Sequence, residues 1–253
     1  ETLNLGLIGC KQRWLRVINF FLKQPNVRCI ALCDVDQSIL DSCAADIEKT
    51  SGIKPKQYKD FRKLIENRDV DAVVIGTPDH WHCLPFVYAC EEGKDIYVEK
   101  PLANTIEECN IMARVARRYN RIVQVGQQQR SGNHWKQAME IIHSGKLGKI
   151  RKVNFWANFN YGAGPTPAED HAVPPGVDYD MWLGPAPARS FNPNRFHGSW
   201  RMFWDYGGGL MTDWGVHLID MGLWALNIKT FPKSIFSIGG NFAQGEHAIE
   251  TSD

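Results

Sequence analysis

Short apolar runs alternate with amphipathic stretches through the first half of the chain. Leu3–Ile8 reads as a strand, and residues 12–23 carry the apolar spacing of a helix. Val27–Cys33 is a second strand ending in "CDVD", followed by a helix from Ser38 to about Lys49. Asp60–Glu66 is a short helix, and "VDAVVIGTP" (70–78) is an apolar strand stopped by Pro78. Residues 83–92 form a helix closed by Gly93, and "DIYVEKP" (95–101) is the next strand. Thr105 with Glu108 makes a capping box for a helix to about Tyr119, and "RIVQVG" (121–126) is a further strand. Short strands without a polar face, each separated by a helix, predict a parallel sheet covered on both sides. That is a doubly wound α/β architecture of the nucleotide-binding type.

After Gly126 the rhythm changes. A helix from about Asn133 ends near Gly145, and "KIRKVNFWANFN" (149–160) alternates like a strand with one polar face. Residues 161–209 are rich in Pro, Gly and aromatics, a length of loop that is usually functional. A helix from Leu210 to Leu226 and a strand, "KSIFSIGGNF" (233–242), follow. The expected organisation is a Rossmann-type dinucleotide-binding domain over 1–125 and an α+β open-sheet domain over 126–253. Two strands make a poor sheet, so the second domain is expected to be incomplete at its C-terminus.

Composition narrows the class. The chain has 253 residues, a formal net charge of +1 and 43% hydrophobic residues, ordinary values for a globular protein. No basic cluster suggests nucleic acid, and no apolar run suggests a membrane span. The seven cysteines are scattered and lack a C-x-x-C pair, as expected of reduced, mostly buried thiols in a cytoplasmic protein. An exported form with a removed leader stays open.

The candidate chemistry begins at "LGLIGCKQRWLRV" (5–17). Gly9 follows the first strand as in a dinucleotide-binding turn, but Lys11 and Trp14 stand where the G-x-G-x-x-G pattern has glycines. Asp34, at the end of the second strand, is placed to accept hydrogen bonds from an adenosine ribose, and its charge disfavours a 2′-phosphate. NAD is therefore expected ahead of NADP. Lys11 is expected beside the pyrophosphate, with Trp14 packed outside the usual helix–strand crossing.

"YVEKPLANTIEEC" (97–109), "VVIGTPDHWH" (73–82) and "GGGLMTDWGVHLIDMGLW" (207–224) occur in an order that resembles the Gfo/Idh/MocA oxidoreductases, which act largely on sugars and polyols. The resemblance implies an NAD-dependent oxidation of a secondary alcohol, with assembly into homo-oligomers through the second sheet. His217 would accept the hydroxyl proton, Asp213 would orient substrate or relay the proton, and Lys100 would bind the reacting hydroxyl. Asp213 and His217, four residues apart on one predicted helix, would share a face, with Asp220 near it. A cis Lys100–Pro101 bond would aim the lysine. Thr77, Pro78, Asp79, His82, Glu99 and Gln128 would join Gly9, Lys11, Asp34 and Lys100 around the cofactor.

The bland alternatives are a core histidine for His217 and a solvated charge for Lys100. For His82 the alternative is a helix-start residue bonded to backbone. His80 and His82 lack a convincing further ligand pair, so no metal is expected. Arg130 and Arg201 are candidate substrate contacts, with Arg195, His197 and Trp200 behind them. Two further functional readings accompany the dehydrogenase. One is a glycosidase or lyase working through transient oxidation and elimination with net retention of NAD. The other is a non-catalytic sugar-binding protein whose altered turn has lost its nucleotide.

Overall fold

The computed structural model describes residues 2–11, 13–157, 166–240 and 249–251. They form two compact units: Glu1–Gly126 with Glu169–Pro193, and Gln127–Ala168 with Asn194–Asp253.

The first unit is a six-stranded parallel sheet of β1 (Leu3–Ile8), β2 (Val27–Cys33), β3 (Lys56–Tyr58), β4 (Ala72–Ile75), β5 (Asp95–Val98) and β6 (Val123–Val125), in the order 3-2-1-4-5-6. Its helices are α1 (Arg13–Leu22), α2 (Gln37–Ser51), α3 (Phe61–Ile65), α4 (Cys83–Glu91) and α5 (Ile106–Arg118). The period of two along each strand divides the core. Leu5, Leu7, Leu32, Ala72 and Val74 pack with Ile18 of α1 and Leu40, Ala44 and Ile47 of α2. Ile8, Ala31, Val73, Ile75, Ile96 and Val98 pack with Leu64, Phe86, Ala89 and Met112 of α3–α5. The central strands β1, β2 and β4 thus bury both faces over most of their length, which is why their sequences lack a polar alternation. The capping box at Thr105 forms as the sequence predicts. Edge strand β3 escapes the sequence reading because "KQY" is three residues long with no apolar run.

The segment 169–193 belongs to the first unit although it lies far along the chain. It carries α7 (Tyr179–Leu183), capped by Asp178, whose side chain accepts a hydrogen bond from the Met181 N–H. Its ends are tied by His171 N–H donating to Phe191 O and by Asn192 donating to Asp170.

The second unit holds α6 (Asn133–His143), α8 (Gly209–Asp213) and α9 (Gly215–Ala225). The sequence predicts one helix over 210–226; the structure divides it at Trp214, whose φ of −107° departs from helical geometry. Residues 149–157 and 233–240 form no strand, and the remainders of those two expected strands lie outside the described residues. An extended segment is stable only with a neighbour for its backbone groups, and no described segment pairs with either. Phe231, Ile235, Phe236 and Ile238 are accordingly exposed.

All seven cysteines are free, and all but Cys109 are buried. Burial pushes the Cys29 thiol up to about 12 and Cys83 and Cys90 up to about 11, and it raises Cys10 and Cys33 well above the ordinary value too. Only a thiolate attacks a disulfide reagent. At pH 8 an aromatic disulfide should leave these five thiols unmodified in the native protein, as read by peptide mass mapping. Rapid labelling of several of them would contradict this packing. As pH rises above the ordinary thiol value of 9.0, these groups ionise first in the unfolded chain, so stability should fall there.

Candidate functional site

The carboxyl ends of β1, β2 and β4 meet at Gly9. Its φ is +88°, and a Cβ built there would lie 2.8 Å from the carbonyl carbon and oxygen of Gly76 and the nitrogen of Thr77. Only glycine lets these two strand ends approach so closely. Asp34 braces the turn from β2: its Oδ2 accepts from the Cys10 N–H at 2.7 Å and its Oδ1 from the Asp36 N–H at 3.0 Å. Lys11 is half-buried beside Asp36 and Asp34. Desolvation lowers its pKa against the pull of those carboxylates, Asp36 more than Asp34. Trp14 lies in α1, but its side chain is outside the described residues, and so is the packing expected of it.

The turn after β4 lies along the same edge. Pro78 leads into a 3-10 turn over Asp79–Trp81, in which Asp79 is buried. The Thr77 hydroxyl is buried without a hydrogen-bond partner among the described residues. His82 is fully buried at the start of α4. Its Nδ1 is 2.8 Å from Pro101 O and its Nε2 is 2.9 Å from Thr77 O, so the ring joins the two loops that follow β4 and β5. Glu99 and Lys100 are buried at the end of β5, and the Lys100–Pro101 bond is cis, as the resemblance implies. The Tyr97 hydroxyl donates to Glu99 Oε1 at 3.5 Å. Among the described residues no cluster of His, Cys, Asp and Glu is arranged to hold a metal.

In the second unit, His217 is buried on α9 with Gln128 Nε2 3.5 Å from its Nε2. Gln128, expected near the cofactor, is therefore a neighbour of the proposed base. Arg130 donates from Nε and Nη2 to both oxygens of Asp220, at 2.8 and 2.7 Å, and its guanidinium lies over Trp224. That bidentate pair joins residue 130 to α9. Asp213 closes α8 rather than sharing a helix with His217, and Arg201 pairs with it at 3.3 Å while stacking on Trp200. A cleft of about 350 Å³ opens beside His217, lined in part by Gln129, Trp135, Trp156 and Trp214. The three tryptophans were not singled out by sequence, since each reads equally well as core.

A parallel sheet in the order 3-2-1-4-5-6, a glycine turn after β1 and an acidic residue after β2 are the features of a Rossmann-type dinucleotide-binding domain. Residues 3–127 match the family model described as the NAD-binding Rossmann fold of the GFO/IDH/MocA oxidoreductases, and residues 131–235 match the model of that family's C-terminal alpha/beta domain. The chain belongs to the Gfo/Idh/MocA oxidoreductase family. It is 29% identical over 154 residues to a protein of Shewanella sp. (strain ANA-3) named glycosyl hydrolase family 109 protein 1, covering 59% of this chain and 34% of that protein. It is 30% identical over 152 residues to the 1-carboxy-3-chloro-3,4-dihydroxycyclohexa-1,5-diene dehydrogenase of Comamonas testosteroni, covering 60% of this chain and 37% of that enzyme. Among solved structures, the scyllo-inositol dehydrogenase of Lactobacillus casei with bound NAD(H) and scyllo-inositol superposes with a TM-score of 0.53 at 25% identity, covering 59% of this chain and 43% of that one. The chain spans about a third of the length of the curated relatives it matches.

Gly9→Ala should lower the stability of the first unit by about 1–3 kcal/mol, the range for a side chain forced into a left-handed conformation. Chemical denaturation measures it, and an unchanged midpoint would mean that the β1 and β4 ends do not close on each other.

Proposed function

We propose that this protein oxidises a secondary alcohol of a sugar, polyol or sugar derivative with NAD. The observation that carries the reading is the family match over both units together with the Gly9–Asp34 edge of the first. The residues there suit the cofactor: a side-chain-free approach at Gly9, a carboxylate at the end of β2 and a buried Thr77 hydroxyl with no partner among the described residues. Held there by Gly9, Asp34 and Thr77, NAD would supply the hydride-accepting chemistry of the oxidation.

The chain's own residues do the rest. Lys100, buried at the end of β5, binds the reacting hydroxyl and favours its ionisation. His217 takes the hydroxyl proton, with Gln128 beside its Nε2 to fix the ring. Asp213, held by Arg201, orients the substrate, so Arg201 serves by placing that carboxylate. His82 holds the loop that carries Lys100 through Pro101 O. Arg130 supports α9 through Asp220.

A second reading is favoured by the relative named as a glycosyl hydrolase. In it NAD would supply a transient oxidation of the alcohol that acidifies the neighbouring C–H; a base such as His217 would take that proton, the glycosidic oxygen would leave protonated, and water would take its place before the oxidation is reversed, with no net change in NAD. Net cofactor turnover separates the two. Incubating the intact protein with NAD and a panel of sugars and polyols should produce absorbance at 340 nm if it is a dehydrogenase. Release of a glycosidic leaving group without NADH would replace that reading with the second. In whichever reaction is found, Lys100→Met and His217→Ala should each reduce the rate by about 10²–10⁴-fold, the effect of losing an acid–base group. Near-wild-type turnover in either variant removes that residue from the mechanism.

A further inference from the structure

The segment 169–193 is fastened to the first unit at two places, and both lie at the carboxyl edge of the sheet. At the end of β2, the Gln37 N–H donates to Gly176 O at 3.1 Å and the Asp178 N–H donates to Val35 O at 2.9 Å. These bonds flank an antiparallel bridge between Asp36 and Val177. Past the end of β4, the Trp81 indole N–H donates to Trp182 O at 2.9 Å, and His80 Nε2 lies 3.1 Å from the same oxygen. Gly184 ends α7 with a φ of +51°, and a Cβ there would fall inside the Trp81 indole.

Between the two fastenings the chain stiffens itself. Tyr179 and Trp182 stack with ring planes 11° apart, Phe191 meets Tyr179 edge-on, and Met181 packs against the core below. Tyr179, Trp182, Leu183 and Phe191 are all buried. This is a built wall of the unit, with the aromatic packing of a core.

Its position decides its role. β1 lies between β2 and β4 in the sheet, so a segment fastened beyond both neighbours spans the edge at which the Gly9–Lys11 turn emerges. Two strand spacings amount to about 10 Å. A dinucleotide in such a fold occupies the same stretch, with its adenosine ribose at the acidic residue after β2 and its pyrophosphate at the turn after β1. Asp34, the ribose candidate, is the residue immediately before the first fastening at Val35, and Lys11 lies beside Asp36, which pairs with Val177.

We propose that the 169–193 strap forms the outer wall of the adenosine end of the dinucleotide site and must open for the dinucleotide to leave. The proposal rests on reading the first unit as a dinucleotide site. It assigns to "VDYDMWLGPAP" (177–187) a part in cofactor retention, with Trp81 and Asp178 as positioning residues that hold the strap.

Hydrogen exchange and cofactor release test it on the intact protein. In the wild type, saturating NAD should slow exchange of the Gln37 and Asp178 amides and of α7. Trp81→Phe removes one fastening while keeping an aromatic ring, and Asp178→Ala removes the cap of α7. Each should speed NAD dissociation about threefold to tenfold, measured by displacement of labelled NAD, as expected for one lost hydrogen bond. The same variants should speed exchange of the strap amides. Strap exchange indifferent to NAD in the wild type would overturn the proposal without recourse to any variant. Faster strap exchange in the variants with an unchanged NAD dissociation rate would overturn it as well. If the folded wild type binds no NAD, the reading of the first unit as a cofactor site fails and the strap proposal fails with it.

Discussion

The approach of β1 to β4 at Gly9 is the constraint on which the first unit depends. With the Gly76 and Thr77 backbone 2.8 Å from the place a Cβ would occupy, no other residue fits without separating two central strands. Once that contact is made, the turn from Cys10 onward is held from a third strand by the Asp34 carboxylate, which bonds the Cys10 N–H. The edge where β2, β1 and β4 end is thereby set before any ligand arrives. The two glycines missing from the familiar fingerprint matter less than the one retained, because the retained glycine is where backbone meets backbone.

The same edge gathers the polar groups that the apolar core cannot hold. His82, buried, lies with its two ring nitrogens against the Pro101 and Thr77 carbonyls, and so sits between the loop after β4 and the loop after β5. Glu99 and Lys100 are buried at the end of β5. In the second unit the comparable organiser is α9: Asp220 receives both arms of Arg130 on one side, and His217 meets Gln128 on another. Polar groups buried this way are costly unless partnered, which ties the placement of each candidate residue to the fold around it.

Much of the first unit was legible because each strand's apolar run and each helix's cap are local signals. Pro78, Gly93 and the Thr105–Glu108 box mark element ends within a few residues of where they fall. Less legible was anything decided by a distant partner. β3 is too short to show a period, and the division of the long helix at Trp214 has no proline to announce it. The alternation in 149–157 and 233–240 describes strands that require neighbours, and the described residues supply none. Asp178 and Gly184 are a helix cap and a helix end inside what reads as a long loop, and they were the available signal for the strap. Of the candidate site, Gly9, Asp34 and the 77–82 turn were readable from their place at strand ends. The engagement of Arg130 by Asp220 and of Asp213 by Arg201 was not, since each pair joins residues far apart in sequence.

The central claim is that this edge is an NAD site whose ribose is held by the Asp34 carboxylate. Calorimetric titration of NAD and of NADP into the intact folded protein, with and without Asp34→Ala, tests it most directly. The account predicts saturable NAD binding that is tighter than NADP binding, with the substitution weakening NAD more than NADP. Absence of NAD binding by the folded wild type, or an equal loss for both nucleotides in the variant, would contradict it.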